Sequence, residues 1–181
     1  MRVERLEQEF ALDVDWQPFE LHPEIPLEGR ALGSRSAAYY ANLTSLAQQE
    51  GLTLRPPTRA SNSHRSLEAG EFAREHGAFA PFHTALFEAY FGHDRDIGDI
   101  DVLADIAEAN GLDPAALREA LESKRYAALV DERTGEARHS DITGTPTFVF
   151  QSGERRLPIV GAQDYALFAS VAQKMGAQPR T

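Results

Sequence analysis

The chain has 181 residues, of which 42% are hydrophobic and 25% charged. That is enough to bury a core in one domain, or in one domain with an inserted subdomain, and it excludes disorder or low complexity as the main state. Asp and Glu number 28 against 18 Lys and Arg, for a formal charge of −10; the basic residues are scattered, so nucleic acid and membrane surfaces are poor partner expectations.

Cysteine is absent, which excludes disulfides, thiolate zinc sites and a cysteine nucleophile within these residues. No stretch approaches the roughly 18 apolar residues of a membrane span. Met1-Arg2-Val3-Glu4-Arg5-Leu6-Glu7 lacks the apolar core of a signal peptide. With Met1 as the start, the expected location is the cytoplasm.

In chain order, residues 2–10 read as a helix with Val3, Leu6 and Phe10 on one face. It has no capping residue before it, which suggests a missing upstream segment. Leu12, Val14 and Trp16 alternate with polar residues as in a half-buried strand that Pro18 ends. Glu20 to Arg30, with Pro23, Pro26 and Gly29, reads as an irregular loop. Ser34 to Gln49 reads as a helix with a Tyr39, Tyr40, Leu43, Leu46 stripe, stopped by Gly51. Leu52 to Leu54 is short and extended.

A helical block follows. One helix is expected from about Arg65 to His76, ended by Gly77, and another from about Pro81 to Gly92. Asp101 is the expected cap of a third, terminated at Asn110-Gly111. Asp113-Pro114 opens a fourth that extends to about Arg138. The period then changes. Thr147–Phe150 and Leu157–Val160 flank Gln151–Arg156 as a β-hairpin with a loop longer than the tightest type. A terminal helix runs from about Tyr165 to Met175, and the tail after Gly176 is expected to fray.

Most chemistry-bearing patterns are absent or fail. The aspartates of His93–Asp101 miss the EF-hand pattern, because its fifth position falls on Gly98. The six histidines show no metal-ligand spacing and read as structural or surface residues, so no metal site is expected. No nucleophile elbow, dinucleotide fingerprint or phosphate loop occurs, and no catalytic residue is assigned. The aromatics of the helical block read as core. One local feature stands out. Gly144-Thr145-Pro146-Thr147-Phe148 sets a proline directly before an apolar strand, where an X-Pro bond is a candidate for the cis form. A cis bond there would turn the Thr145 backbone outward, toward an extended ligand. An ordinary edge-strand proline fits the residues equally well.

Gly144-Thr145-Pro146-Thr147-Phe148-Val149-Phe150, followed by Val160-Gly161-Ala162-Gln163, resembles the C-terminal half of DsbA-family thioredoxin folds, most closely the FrnE-like branch. That branch shares its fold with 2-hydroxychromene-2-carboxylate isomerase and kappa-class glutathione transferase. Arg2–Leu6, Trp16–Leu21, Glu71–Gly77, Phe82–Phe91, Asp96–Asp99 and Gly111–Asp113 extend the resemblance over nearly the whole chain. It implies an α/β, thioredoxin-like, DsbA-type sheet with an inserted all-helical subdomain. The expected divisions are 1–33 for the first thioredoxin-like part, 34–138 for the helical insertion and 139–181 for the second part.

The family's first strand and its Cys-x-x-Cys, which precede the stretch matching Arg2, have no counterpart. The expectation is an N-terminally shortened chain of a cytosolic thiol–disulfide oxidoreductase, inactive in that reaction as it stands. The resemblance implies substrate contacts at Gly144, Thr145 and Pro146, and at Gln163 in the loop that meets glutathione in relatives. It implies thiol- or disulfide-bearing protein or glutathione as partner, glutathione as the one candidate cofactor, and no definite oligomeric state. Two further functions fit the same residues: a glutathione-dependent isomerase or transferase, and a redox-inactive module that binds peptide or glutathione.

Overall fold

The computed structural model of the chain describes residues 2–49 and 51–180, with no side chain described at 34–39 or 42. The elements in order are α1 (Arg2–Glu9), β1 (Phe10–Ala11), β2 (Arg30–Ala31), α2 (Ser34–Gln49), β3 (Arg59–Ala60), α3 (His64–Glu75), α4 (Phe79–Phe87) with a π-helical turn (Glu88–Gly92), α5 (Ile100–Ala109), α6 (Pro114–Glu122), α7 (Ala127–His139), β4 (Thr147–Ser152), β5 (Arg155–Val160), α8 (Tyr165–Lys174) and β6 (Gln178–Pro179). They form two compact units, Met1–Gln17 with Glu136–Thr181, and Pro18–Gly135. The loop 18–33 belongs to the second of these units.

In the unit built from the two ends of the chain, β4 and β5 pair antiparallel from Thr147↔Val160 to Ser152↔Arg155. The loop between them has two residues, shorter than the sequence suggests. Its first residue, Gly153, sits at φ 58, where only glycine is unstrained, and this lets both strands run to the turn. Pairing puts Phe148, Phe150, Leu157 and Ile159 on one face and Thr147, Val149, Pro158 and Val160 on the other. The first face supplies Phe148, Phe150 and Ile159 to a core of Leu6, Phe10, Phe168 and Ala172.

The tail is not frayed. Gln178–Pro179 pair with Phe10–Ala11, and the Arg180 N–H donates to the Glu9 carbonyl at 2.9 Å. The strand expected at Leu12 to Trp16 does not form. A strand exists only where a neighbour takes its hydrogen bonds, and among the described residues none pairs with this segment.

The helical unit is built on punctuation that the sequence carries. Gly77 and Gly111 take positive φ at helix ends, and the Asp113 carboxylate caps α6 by accepting from the Ala115 and Ala116 amides. Asp99, not Asp101, caps α5, with its side chain accepting from the Asp101 amide at 2.8 Å. The expected long helix to Arg138 is broken at residues 123–126. Lys124 adopts φ 55, and the Arg125 N–H donates to the Ala120 carbonyl, the wrap-back bond that ends a helix. Phe72, Phe82, Leu103 and Leu117, each at most 2% exposed, anchor the core drawn from α3 to α6.

Two tyrosines of this unit report on its packing. Burial pushes the Tyr126 hydroxyl up to about 12, with its hydrogen bond to Glu75 Oε2 (2.6 Å) as the second cause. Burial likewise pushes Tyr90 up to about 12, and its hydroxyl donates to the Arg59 carbonyl at 2.9 Å. Both folded values lie above the ordinary value of 10.0. The stability these phenols contribute is therefore whole below pH 10 and lost as pH rises through about 12. Ultraviolet titration is expected to show Tyr90 and Tyr126 ionising only near pH 12, and Tyr126→Phe to remove one high-pH ionisation. Ionisation of all tyrosines near pH 10 in folded protein would contradict this packing.

Candidate functional site

The Gly144–Pro146 turn opens directly onto β4. The Thr145–Pro146 peptide bond is cis. Two hydrogen bonds set the shape of the turn: Thr147 Oγ1 donates to the Gly144 carbonyl at 2.7 Å, and the Gly161 N–H donates to the Pro146 carbonyl at 2.8 Å. The second bond joins the turn to the loop that follows β5. Gly161 sits at φ 84, a conformation that keeps side chains out and lets the backbone approach Pro146.

Gln163 belongs to that same loop. Its N–H donates to the Gly161 carbonyl at 3.0 Å and its Nε2 to the Val160 carbonyl at 2.9 Å. All four residues expected to contact substrate, Gly144, Thr145, Pro146 and Gln163, thus converge on the end of the hairpin where β4 begins and β5 ends. Thr145, Pro146 and Gln163 are exposed. Among the described residues, no group engages the Thr145 backbone N–H or carbonyl. Beside the turn lies the solvent-facing side of the hairpin, where Val149 and Val160 are 37% and 63% exposed.

A cleft of about 320 Å³ in the same unit runs between the Ala11–Asp13 segment and Phe150–Ser152, floored by Ala172 and Met175–Ala177. Among the described residues β4 pairs with β5 alone.

In the helical unit the acidic loop 93–101 is consumed by structure. Asp94 accepts from the amide and hydroxyl of Thr58, Asp96 accepts from the Gly98 amide, and Asp101 pairs with Arg118. A separate group does gather ligand atoms. One atom each from Glu20, His64 and Asp131 lies within 4.8 Å of the others. Sequence spacing gives no hint of it, because Glu20 and His64 are 44 positions apart.

The DSBA-like thioredoxin domain profile matches residues 1–173. The uncharacterised protein YwbO of Bacillus subtilis (strain 168) is 30% identical over 158 residues, covering 84% of this chain and 78% of that protein. Among solved structures, a probable DsbA oxidoreductase from Streptomyces coelicolor superposes with a TM-score of 0.76 at 24% identity, covering 88% of this chain and 73% of that one. A second structure, from Nitrosomonas europaea, superposes with a TM-score of 0.64 at 14% identity, over 81% of this chain and 78% of its own. The fold is therefore thioredoxin-like, of DsbA type, and the chain belongs to the DSBA-like thioredoxin domain family.

Proposed function

We propose that this chain carries the substrate-contact half of a FrnE-like thiol–disulfide oxidoreductase of the DsbA family. Gly144, Thr145, Pro146 and Gln163 contact an extended thiol- or disulfide-bearing peptide, or glutathione. The observation that supports this most directly is the free, exposed Thr145 backbone at the head of β4. An N–H and a carbonyl in that setting pair with an extended ligand as a strand edge does. The apolar Val149 and Val160 beside it offer contact area for the ligand's side chains, and Gln163 offers a side-chain amide. A net charge of −10 favours peptide or glutathione over polyanionic partners.

Thiol–disulfide exchange proceeds by attack of a thiolate. With no cysteine among the 181 residues, this chain supplies the binding surface and not the reacting sulfur. A redox-inactive binding module is the second reading, and the cysteine count is what favours it.

The test is an amide-resolved NMR titration with reduced glutathione and with an extended cysteine-containing peptide, alongside insulin disulfide reduction. Ligand-induced shifts are expected at residues 144–147 and 160–163, with insulin reduced no faster than by the added dithiol alone. Shifts confined to other surfaces would defeat the proposed contact. Adding a Cys-x-x-Cys-bearing segment of a family member ahead of Arg2 separates the two readings. Restored turnover supports the oxidoreductase, and tight binding without turnover supports the module.

A further inference from the structure

We propose that Glu20, His64 and Asp131 form a binding site for a divalent transition cation, best matched by zinc, with Glu68 orienting the His64 ring. This departs from the sequence reading, which treats the histidines as structural or surface residues and expects no metal site.

The geometry around the imidazole carries the proposal. His64 Nδ1 faces Glu20 Oε2 at 3.1 Å, and His64 Nε2 faces Glu68 Oε1 at 3.6 Å. A neutral imidazole has one N–H and one lone pair. With carboxylate oxygens toward both nitrogens, one of them would be met by a lone pair. A cation on Nδ1 removes that conflict, since it binds the lone pair and the Glu20 oxygen together. Nε2 then keeps its proton, directed at Glu68. A carboxylate behind a ligating histidine is the usual way such a ring is held.

A second, independent observation lies in Glu68. Its side chain is only 3% exposed, and its Oε2 has no hydrogen-bond partner. A buried carboxylate oxygen left unpaired is costly unless positive charge stands nearby. Glu20, Glu68 and Asp131 bring three carboxyl groups to a single imidazole.

The donors are also held in place. The Glu20 N–H donates to Thr134 Oγ1 at 3.0 Å, and Thr134 lies one turn beyond Asp131 on α7, so one helix both anchors the Glu20 segment and presents Asp131. The His64 N–H donates to Asn62 Oδ1 at 3.0 Å at the start of α3. Glu20 is buried, His64 half-buried and Asp131 exposed, which leaves an entry path from solvent. One imidazole nitrogen with two carboxylate oxygens suits zinc, with a position left for water or a ligand, better than magnesium or calcium, which prefer oxygen alone.

The experiment uses the whole chain, freed of metal by a chelator and then titrated with zinc by calorimetry and native mass spectrometry. One zinc per chain is expected. Asp131→Asn, a change at an exposed position, and His64→Gln are each expected to weaken binding by about tenfold or more. His22→Gln, at the exposed pair with Glu24, is expected to leave binding unchanged, and magnesium to compete poorly. Nitrogen NMR of the His64 ring is expected to show Nδ1 metallated and Nε2 protonated. Absence of zinc binding by the folded, metal-freed chain would overturn the proposal. So would zinc binding that survives Asp131→Asn and His64→Gln, or that His22→Gln abolishes.

Discussion

Phe168→Ala is expected to destabilise the chain by about 3–5 kcal/mol, enough to unfold the unit made from the two chain ends. Phe168 is 1% exposed. Its ring centroid lies 4.6 Å from that of Phe148 and 6.3 Å from that of Phe150, so it ties α8 to the hairpin. Among the described residues, the buried cluster it belongs to also holds Leu6, Phe10 and Ala172, with partly buried side chains such as Phe148, Phe150 and Ile159 packed against it. Leu6 and Phe10 come from α1 and β1, so the same ring also holds the N-terminal segment. Alanine at this position leaves a cavity of phenyl size between α8 and the hairpin. The total stability of a domain is about 5–15 kcal/mol, and one such loss consumes much of it. The measurement is denaturant unfolding together with amide exchange. Hairpin amides Phe148 to Ser152 are expected to lose protection in Phe168→Ala. A cost below about 1 kcal/mol, with hairpin protection intact, would mean that this cluster does not hold the unit together.

The elements that were legible in the sequence are those whose ends are encoded locally. Asp113-Pro114 is a cap followed by a first-turn proline, and Gly77, Gly111 and Gly176 all take the positive φ that a helix end asks for. The break between α6 and α7 was not legible, because its positive φ falls on Lys124 and not on a glycine. Strands depend on partners distant in sequence. Leu12 to Trp16 has the right alternation but, among the described residues, no strand pairs with it, whereas Phe10–Ala11 is fixed by Gln178–Pro179 from the opposite end of the chain. Alternation reports which face is buried and cannot report whether a partner strand is present.

The same distinction divides the two candidate sites. Gly144-Thr145-Pro146 is a contiguous motif visible in the residues themselves, whereas Gln163 is named only through the family resemblance, and the fold brings it to the motif through the loop after β5. Glu20, His64 and Asp131 come from a loop, the first turn of α3 and the middle of α7. Carboxylates are so abundant in this chain that no two of them single themselves out. Only the fold, by setting Thr134 under the Glu20 backbone, selects these three.

Phe82→Ala is expected to cost a similar ~3–5 kcal/mol in the helical unit, but with a different signature. Phe82 is fully buried in α4. It sits in a core that also takes Ala69, Phe72, Leu103 and Leu117 from helices and Tyr126 from the turn between α6 and α7. A cluster of that size can lose one ring and still close around most of the remainder, so a loosened native state is expected before global unfolding. Tyr126 distinguishes the two outcomes. Its hydroxyl is held up to about 12 chiefly by burial, and its ring meets Phe72 edge-on at 6.4 Å. Loosening this core admits water to the phenol, favours the phenolate and lowers the value toward the ordinary 10.0. In Phe82→Ala, one high-pH tyrosine is therefore expected to titrate earlier, under conditions where helical circular dichroism is still largely retained. Because the folded value is then nearer the unfolded one, stability should also depend less on pH between 10 and 12 than it does in the parent. A variant that loses 3–5 kcal/mol while keeping the Tyr126 ionisation near 12 would show a cavity that leaves the Phe72–Tyr126 contact dry, and would place the loss in the transfer of the ring alone.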